Sequence, residues 1–172
     1  VRKGAMWRGD PPDWYWTCKF SHPVVFSAPG PVVESLVETL ESAAWNGRAE
    51  VVRELLKAAN VDVNKAFNDG STPLSRAAEN GHVEVVRVLL EAKNVDVNKA
   101  DTNGGTPLFR AADNGHVEVV RMLLEAKNVD VNKNVYIHEW ETDHEWETPL
   151  FRAAGKGHVE VVRMLLEAKN VD

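Results

Sequence analysis

The strongest constraint on this chain is that it repeats itself. TPLSRAAENGHVEVVRVLLEAKNVDVN at residues 72–98 recurs as TPLFRAADNGHVEVVRMLLEAKNVDVN at 106–132, with 24 of 27 positions identical. TPLFRAAGKGHVEVVRMLLEAKNVD at 148–172 follows, matching the second copy at 23 of 25. A fainter copy, SAAWNGRAEVVRELLKAANVDVN, occupies 42–64, so four units stand at spacings of 34, 34 and 42 residues. A fixed period of this length signals stacked supersecondary units, because no single unit can bury its own apolar face.

Each unit reads as two short helices. Thr72, Thr106 and Thr148 stand as N-caps, and Pro73, Pro107 and Pro149 fill the first helical position, where the missing N–H costs nothing. Gly81, Gly115 and Gly157 end that first helix, since glycine adopts the left-handed conformation freely. The double alanine of Ala77 and Ala78 keeps it slim. A second helix is expected from about Val83 to Ala92, with Val85, Val86, Leu89 and Leu90 on an apolar face and Glu84, Arg87 and Glu91 toward water.

Thr-Pro-Leu-x-x-Ala-Ala, then Gly-His-x-Glu-Val-Val, Leu-Leu and Val-Asn together resemble the ankyrin repeat over about residues 35–172. The resemblance implies an all-α solenoid of stacked helix-turn-helix units, with β-hairpin fingers along one edge and a concave face that binds other proteins. Tetratricopeptide repeats share the period, but their Trp, Gly and Tyr pattern is absent. Three departures from the ankyrin pattern stand out: Ser75, Phe109 and Phe151 replace a histidine; the Ala-Lys-Asn-Val-Asp linker is one residue longer; and Phe67 stands where a finger carries Asp, as Asp101 does.

The expected organisation is a non-repeat leader over 1–31, then repeats at 32–66, 67–100, 101–134 and 135–172. The leader, with three Trp, five Pro and no helical period, reads as poorly ordered or as a docking segment. Glu38, Thr39, Leu40 and Glu41 replace Thr-Pro-Leu-x in the first repeat, which with Ser42 and Glu54 gives it the polar character of a cap. Val161, Val162, Leu165 and Leu166 keep the internal pattern in the last repeat. The expectation is therefore that the chain is part of a longer polypeptide or that something covers this edge.

The last repeat also holds an insert of eight residues around HEWETDHEWET, 138–148. Glu139, Glu141, Asp143, Glu145 and Glu147 alternate with Tyr136, His138, Trp140, Thr142, His144 and Trp146. Period two predicts an amphipathic strand lengthening a finger hairpin. A metal site at His138 and His144 is the lesser alternative: six residues separate them, roughly 20 Å in a continuous strand, and only a hairpin about Glu141 would bring them together. The recurring His82, His116 and His158 read as structural loop residues.

The remaining composition narrows the function. A formal charge of −6, with Lys and Arg interspersed among carboxylates, excludes a phosphate-neutralising surface and hence a nucleic-acid partner. Cys18 stands alone, which excludes an internal disulfide and fits an intracellular, cytoplasmic setting. No apolar run approaches the roughly 20 residues of a membrane helix. No phosphate loop, nucleophile turn or cofactor motif occurs. The reading is a monomeric or embedded scaffold that binds a protein partner without catalysis or cofactor; the alternative is a spacer in a longer array. The partner-facing residues are expected to be Arg76, Arg110 and Arg152 in one column, Glu79 and Asp113 one turn on, finger residues Asn68, Asp69, Thr102 and Asn103, and the insert's Tyr136, Trp140 and Trp146.

Overall fold

In the computed structural model, which describes residues 39–58, 61–137 and 145–168, the threonine caps set the helix starts. Thr72, Thr106 and Thr148 are extended, and their Oγ1 atoms accept from the backbone N–H groups of Ser75, Phe109 and Phe151 at 3.1, 3.2 and 3.1 Å. Each cap satisfies one of the free amides of a helix's first turn. In the first repeat Thr39, not Glu38, takes this role, accepting from Ser42 N–H at 3.2 Å. Its helix consequently lacks the proline and is one residue shorter, six against seven.

Among the described residues four helix pairs result: α1 Leu40–Trp45 with α2 Ala49–Lys57, α3 Pro73–Glu79 with α4 Val83–Leu90, α5 Pro107–Asp113 with α6 Val117–Glu125, and α7 Pro149–Gly155 with α8 Val159–Glu167. Gly81, Gly115 and Gly157 separate the partners with φ between +71° and +76°, the left-handed turn expected of them, and Gly47 does the same in the first repeat at +73°. Helix α4 ends two residues before the expected Ala92, because Ala92 N–H turns to the Leu89 carbonyl and tightens the last turn.

The pairs stack in two rows, α1, α3, α5 and α7 in one and α2, α4, α6 and α8 in the other. Alanine makes the first row close: Ala43, Ala44, Ala77, Ala78, Ala111 and Ala112 are all fully buried. Between the rows lie Leu74, Val85, Val86, Leu89, Leu108, Val119, Val120 and Leu123, each at or below 1% exposure. Val88, absent from the expected apolar face, is also buried, whereas Leu90 is half-exposed. Removing a side chain such as Leu89 to alanine would cost ~2–5 kcal/mol.

The longer linker turns through left-handed asparagines, Asn94 at φ 64° and Asn128 at φ 62°. Each is clipped by an asparagine one repeat earlier. Asn64 Nδ2 donates to the Asn94 carbonyl (2.7 Å) while its Oδ1 accepts from Asp96 N–H (2.8 Å); Asn98 does the same to Asn128 (2.6 Å) and Asp130 (2.8 Å). The second half of each Val-Asn motif thus ties consecutive repeats together.

Between repeats the chain projects outward. At 67–71 and 101–105 it closes tight turns, with Phe67 N–H to Ser71 O (2.9 Å) and Asp101 N–H to Gly105 O (3.0 Å). The insert forms a longer arm: β1 Val135–Ile137 pairs antiparallel with β2 Glu145–Glu147, Tyr136 opposite Trp146. For Tyr136, Ile137, Glu145 and Trp146 only the backbone is described. Among the described residues no helix is long and apolar enough to cross a membrane.

Candidate partner-binding surface

Arg76, Arg110 and Arg152 do form a column along the first-helix row, but each guanidinium is already engaged within the chain. Arg110 forks onto Asp101, with Nε at 2.9 Å and Nη2 close beside it, and Asp101 is 5% exposed at its side chain. The other Asp101 oxygen accepts from Asn103 N–H and Gly105 N–H, both at 2.9 Å. One finger carboxylate therefore shapes its own turn and fixes the arginine below it.

The other two arginines reach different partners because the finger sequence differs. Phe67 stands in the Asp101 position, so Arg76 pairs with Asp69 two residues on and with Glu79 (2.7 Å). It also lies over two rings, 4.6 Å from the Trp45 centroid and 5.5 Å from that of Phe67. Cation–π attraction of this kind contributes ~0.5–2 kcal/mol. Arg152 reaches Glu147 (3.3 Å) in its own repeat and Asp113 (2.6 Å) in the preceding one, where Lys156 joins it at 2.7 Å.

Electrostatics follow these contacts. Burial works against ionising Asp113, but the hydrogen bonds from Lys156 and Arg152, with the charges behind them, outweigh it and hold the carboxyl below its ordinary value. Asp69 is also held low, first by the hydroxyl of Ser71 (2.6 Å), against burial, and then by Ser71 N–H and the Arg76 charge.

The expected site residues thus fall into distinct groups. Arg76, Arg110, Arg152, Glu79 and Asp113 are half-buried, with Arg76 paired to Glu79, Arg152 to Asp113 and Arg110 to the finger's Asp101. Asn68, Asp69, Thr102 and Asn103 are exposed at the finger tips. The two tips are registered against each other, since Thr102 N–H donates to the Asp69 carbonyl at 2.9 Å. Gly70 permits this approach: a Cβ there would meet Thr102 N at 2.9 Å. Tyr136 and Trp146 are backbone partners in the β1–β2 register, and Trp140, His138 and His144 lie outside the described residues. Among the described residues no three His, Cys, Asp or Glu side chains group to hold a metal ion.

Trp45 is a surface residue the sequence analysis overlooked. It is 45% exposed and occupies, one repeat earlier, the position of Glu79 and Asp113. The available signal was its place 34 residues before Glu79, in a column whose members Trp45, Glu79 and Asp113 each contact an arginine of the first-helix row. Histidines supply a parallel set of clamps. His82, His116 and His158 place Nε2 at 2.9, 2.9 and 3.1 Å from the carbonyls of Trp45, Glu79 and Asp113. A carbonyl only accepts, so Nε2 carries the proton. The recurring histidines are inter-repeat hydrogen-bond donors, consistent with a structural role.

A family model described as ankyrin repeats (3 copies) matches residues 40–135, and one described as ankyrin repeats (many copies) matches 115–166. The chain belongs to the ankyrin repeat family. No curated protein matches it. Ankyrin repeats are generally protein–protein interaction modules and are typically non-catalytic.

Proposed function

We propose that this ankyrin array binds a protein partner through its finger tips and the adjoining ends of the first-helix row, without catalysis. The observation carrying this reading is the row of exposed polar tips, Asn68, Asp69, Thr102 and Asn103, held in register by a backbone hydrogen bond between fingers. Side chains displayed on a fixed backbone lose little freedom on binding, which favours recognition by such a row. Trp45, half-exposed beneath Arg76, supplies the kind of aromatic anchor on which protein interfaces concentrate their energy. The arginine column acts as the rigid support beneath this surface, its charges being satisfied internally. A monomeric chain in an intracellular setting suits this role.

Arg-to-Glu exchanges would break the supporting ion pairs, so the test uses the tips. Asn68→Arg, Thr102→Arg and Asn103→Arg together leave the caps and core untouched, whereas Trp45→Ala, made as a separate variant, also removes the ring beneath Arg76 and should cost ~0.5–2 kcal/mol. Affinity capture from cell lysate with wild type and variants should yield proteins that the tip variants lose while their thermal unfolding stays unchanged. If every captured protein is recovered equally by all variants, the near-identical copies serve as a spacer and the reading fails.

A further inference from the structure

The sequence holds four Asn-Gly steps, Asn46–Gly47, Asn80–Gly81, Asn103–Gly104 and Asn114–Gly115. In such a step the glycine nitrogen can close on the preceding side-chain amide, because no Cβ hinders its approach. The fold restrains the four unequally. Asn80 and Asn114 end α3 and α5, and their Nδ2 atoms donate to the Arg76 and Arg110 carbonyls at 3.1 and 3.0 Å. Their backbone N–H groups close the last helical turn onto the same two carbonyls at 3.1 and 3.3 Å. The next repeat packs on the glycine that follows each: a Cβ on Gly81 or Gly115 would lie 2.6 Å from the ring of His116 or His158. Asn46, which ends α1, is held more loosely, with Nδ2 3.3 Å from Ser42 Oγ. Asn103 is exposed at the tip of the 101–105 turn, and among the described residues its side-chain amide has no hydrogen-bond partner. The attacking nitrogen there is restrained by the turn itself, through Gly104 N–H to the Asp101 carbonyl at 2.9 Å. Opening that bond disturbs one surface turn, whereas the same step at Asn80 or Asn114 unwinds a helix end and parts a histidine contact between repeats, and local openings of exposed turns cost the least.

We propose that Asn103–Gly104 is a site of spontaneous deamidation, which places a carboxylate on the second finger tip where the first finger carries Asp69, 34 residues earlier, from the outset. The Gly104 nitrogen attacks Asn103 Cγ. A C–N bond forms as the Cγ–Nδ2 bond breaks, and ammonia leaves with the proton of the Gly104 N–H. Water then opens the five-membered imide at either carbonyl, returning a proton to the nitrogen and leaving a carboxylic acid on a normal or a β-linked, isoaspartyl, backbone. The step consumes water and needs no oxidant or cofactor. Both products add a negative charge to the tip near neutral pH. The isoaspartyl product also lengthens the backbone by one atom between Asp101 and the N–H groups of Gly104 and Gly105 that it accepts, so it loosens the turn, and Asp101 is the carboxylate that holds Arg110. This chemistry is independent of whether the finger binds a partner, so its failure would leave the proposed partner binding standing.

The test incubates the full chain at mildly alkaline pH and follows each Asn-Gly peptide by mass spectrometry. Methylation by an isoaspartyl methyltransferase with S-adenosylmethionine counts the β-linked product independently. Asn103 should convert at least about tenfold faster than Asn80 and Asn114, the factor that ~1.4 kcal/mol of protection carries, with Asn46 between them. In concentrated urea, where all four are simply Asn-Gly steps, the rates should converge. Asn103→Gln should remove the isoaspartyl product from the second finger, because glutamine must close a larger ring. Equal rates at Asn103 and Asn80 in the folded chain overturn the proposal, and so does protection of Asn103 that only urea relieves.

Discussion

Gly115→Ala and Gly157→Ala are the same chemical change at the same left-handed backbone, φ +72° and +76°, and they should differ in cost by an amount the structure specifies. Both variants force an L-residue into the left-handed region, a penalty of ~1–2 kcal/mol. At Gly157 that is the whole effect, because the new methyl group meets nothing within 4 Å. At Gly115 the methyl would lie 2.6 Å from Nδ1 and 2.7 Å from Cε1 of His158, so the ring must move. Moving it stretches the 3.1 Å hydrogen bond to the Asp113 carbonyl, worth ~1 kcal/mol net, and overpacks the interface by ~1 kcal/mol or more. Gly115→Ala should therefore be destabilised by ~3–5 kcal/mol against ~1–2 for Gly157→Ala. In a chain of this size a gap of about 2 kcal/mol corresponds to about 4–8 °C in melting temperature. Urea and thermal unfolding followed by circular dichroism measure both. Equal destabilisation of the two variants would refute the idea that the glycine–histidine step is an inter-repeat contact and reduce it to a local turn requirement.

Other expectations follow from single contacts. Thr106→Ala removes a fully buried cap and leaves Phe109 N–H without its acceptor, so thermal unfolding should show a loss of ~1–2 kcal/mol that Thr106→Ser largely restores. Asn98→Ala cuts both bonds of an inter-repeat clip and should cost ~1–2 kcal/mol by urea titration; no change would mean the clip is incidental. Asp113 has a folded-state pKa below its unfolded value, so its contribution is fully present above the ordinary aspartate value of about 4. That contribution is lost as pH falls from there through the folded-state pKa. Asp113→Asn should be less stable than wild type near neutrality and lose less stability across the acid window, and parallel acid-unfolding curves would contradict the assignment.

Much of the architecture is already written in Thr106, Pro107, Gly115 and the alanine pair, because each acts on its own backbone or its immediate neighbour. A hydroxyl three residues from an amide, a ring that fixes φ and a residue without a Cβ have local consequences, and their recurrence at 34 residues makes stacking unavoidable. The arginine column was equally visible, but its meaning was not. Whether Arg76 contacts a partner or stays within the chain depends on Trp45, 31 residues earlier, and on Phe67 displacing the finger carboxylate to Asp69. Arg152 similarly turns to Asp113, 39 residues away, where its own helix carries Gly155 in the place of the Glu79 that pairs with Arg76. Pairings across repeats depend on side-chain reach and on the spacing between helices, quantities that exist only once the rows are stacked. The same reason separates Phe109 from Phe151: the residue, its cap and its helix are identical, and only packing by a neighbouring helix pair makes one of them core and leaves the other a surface.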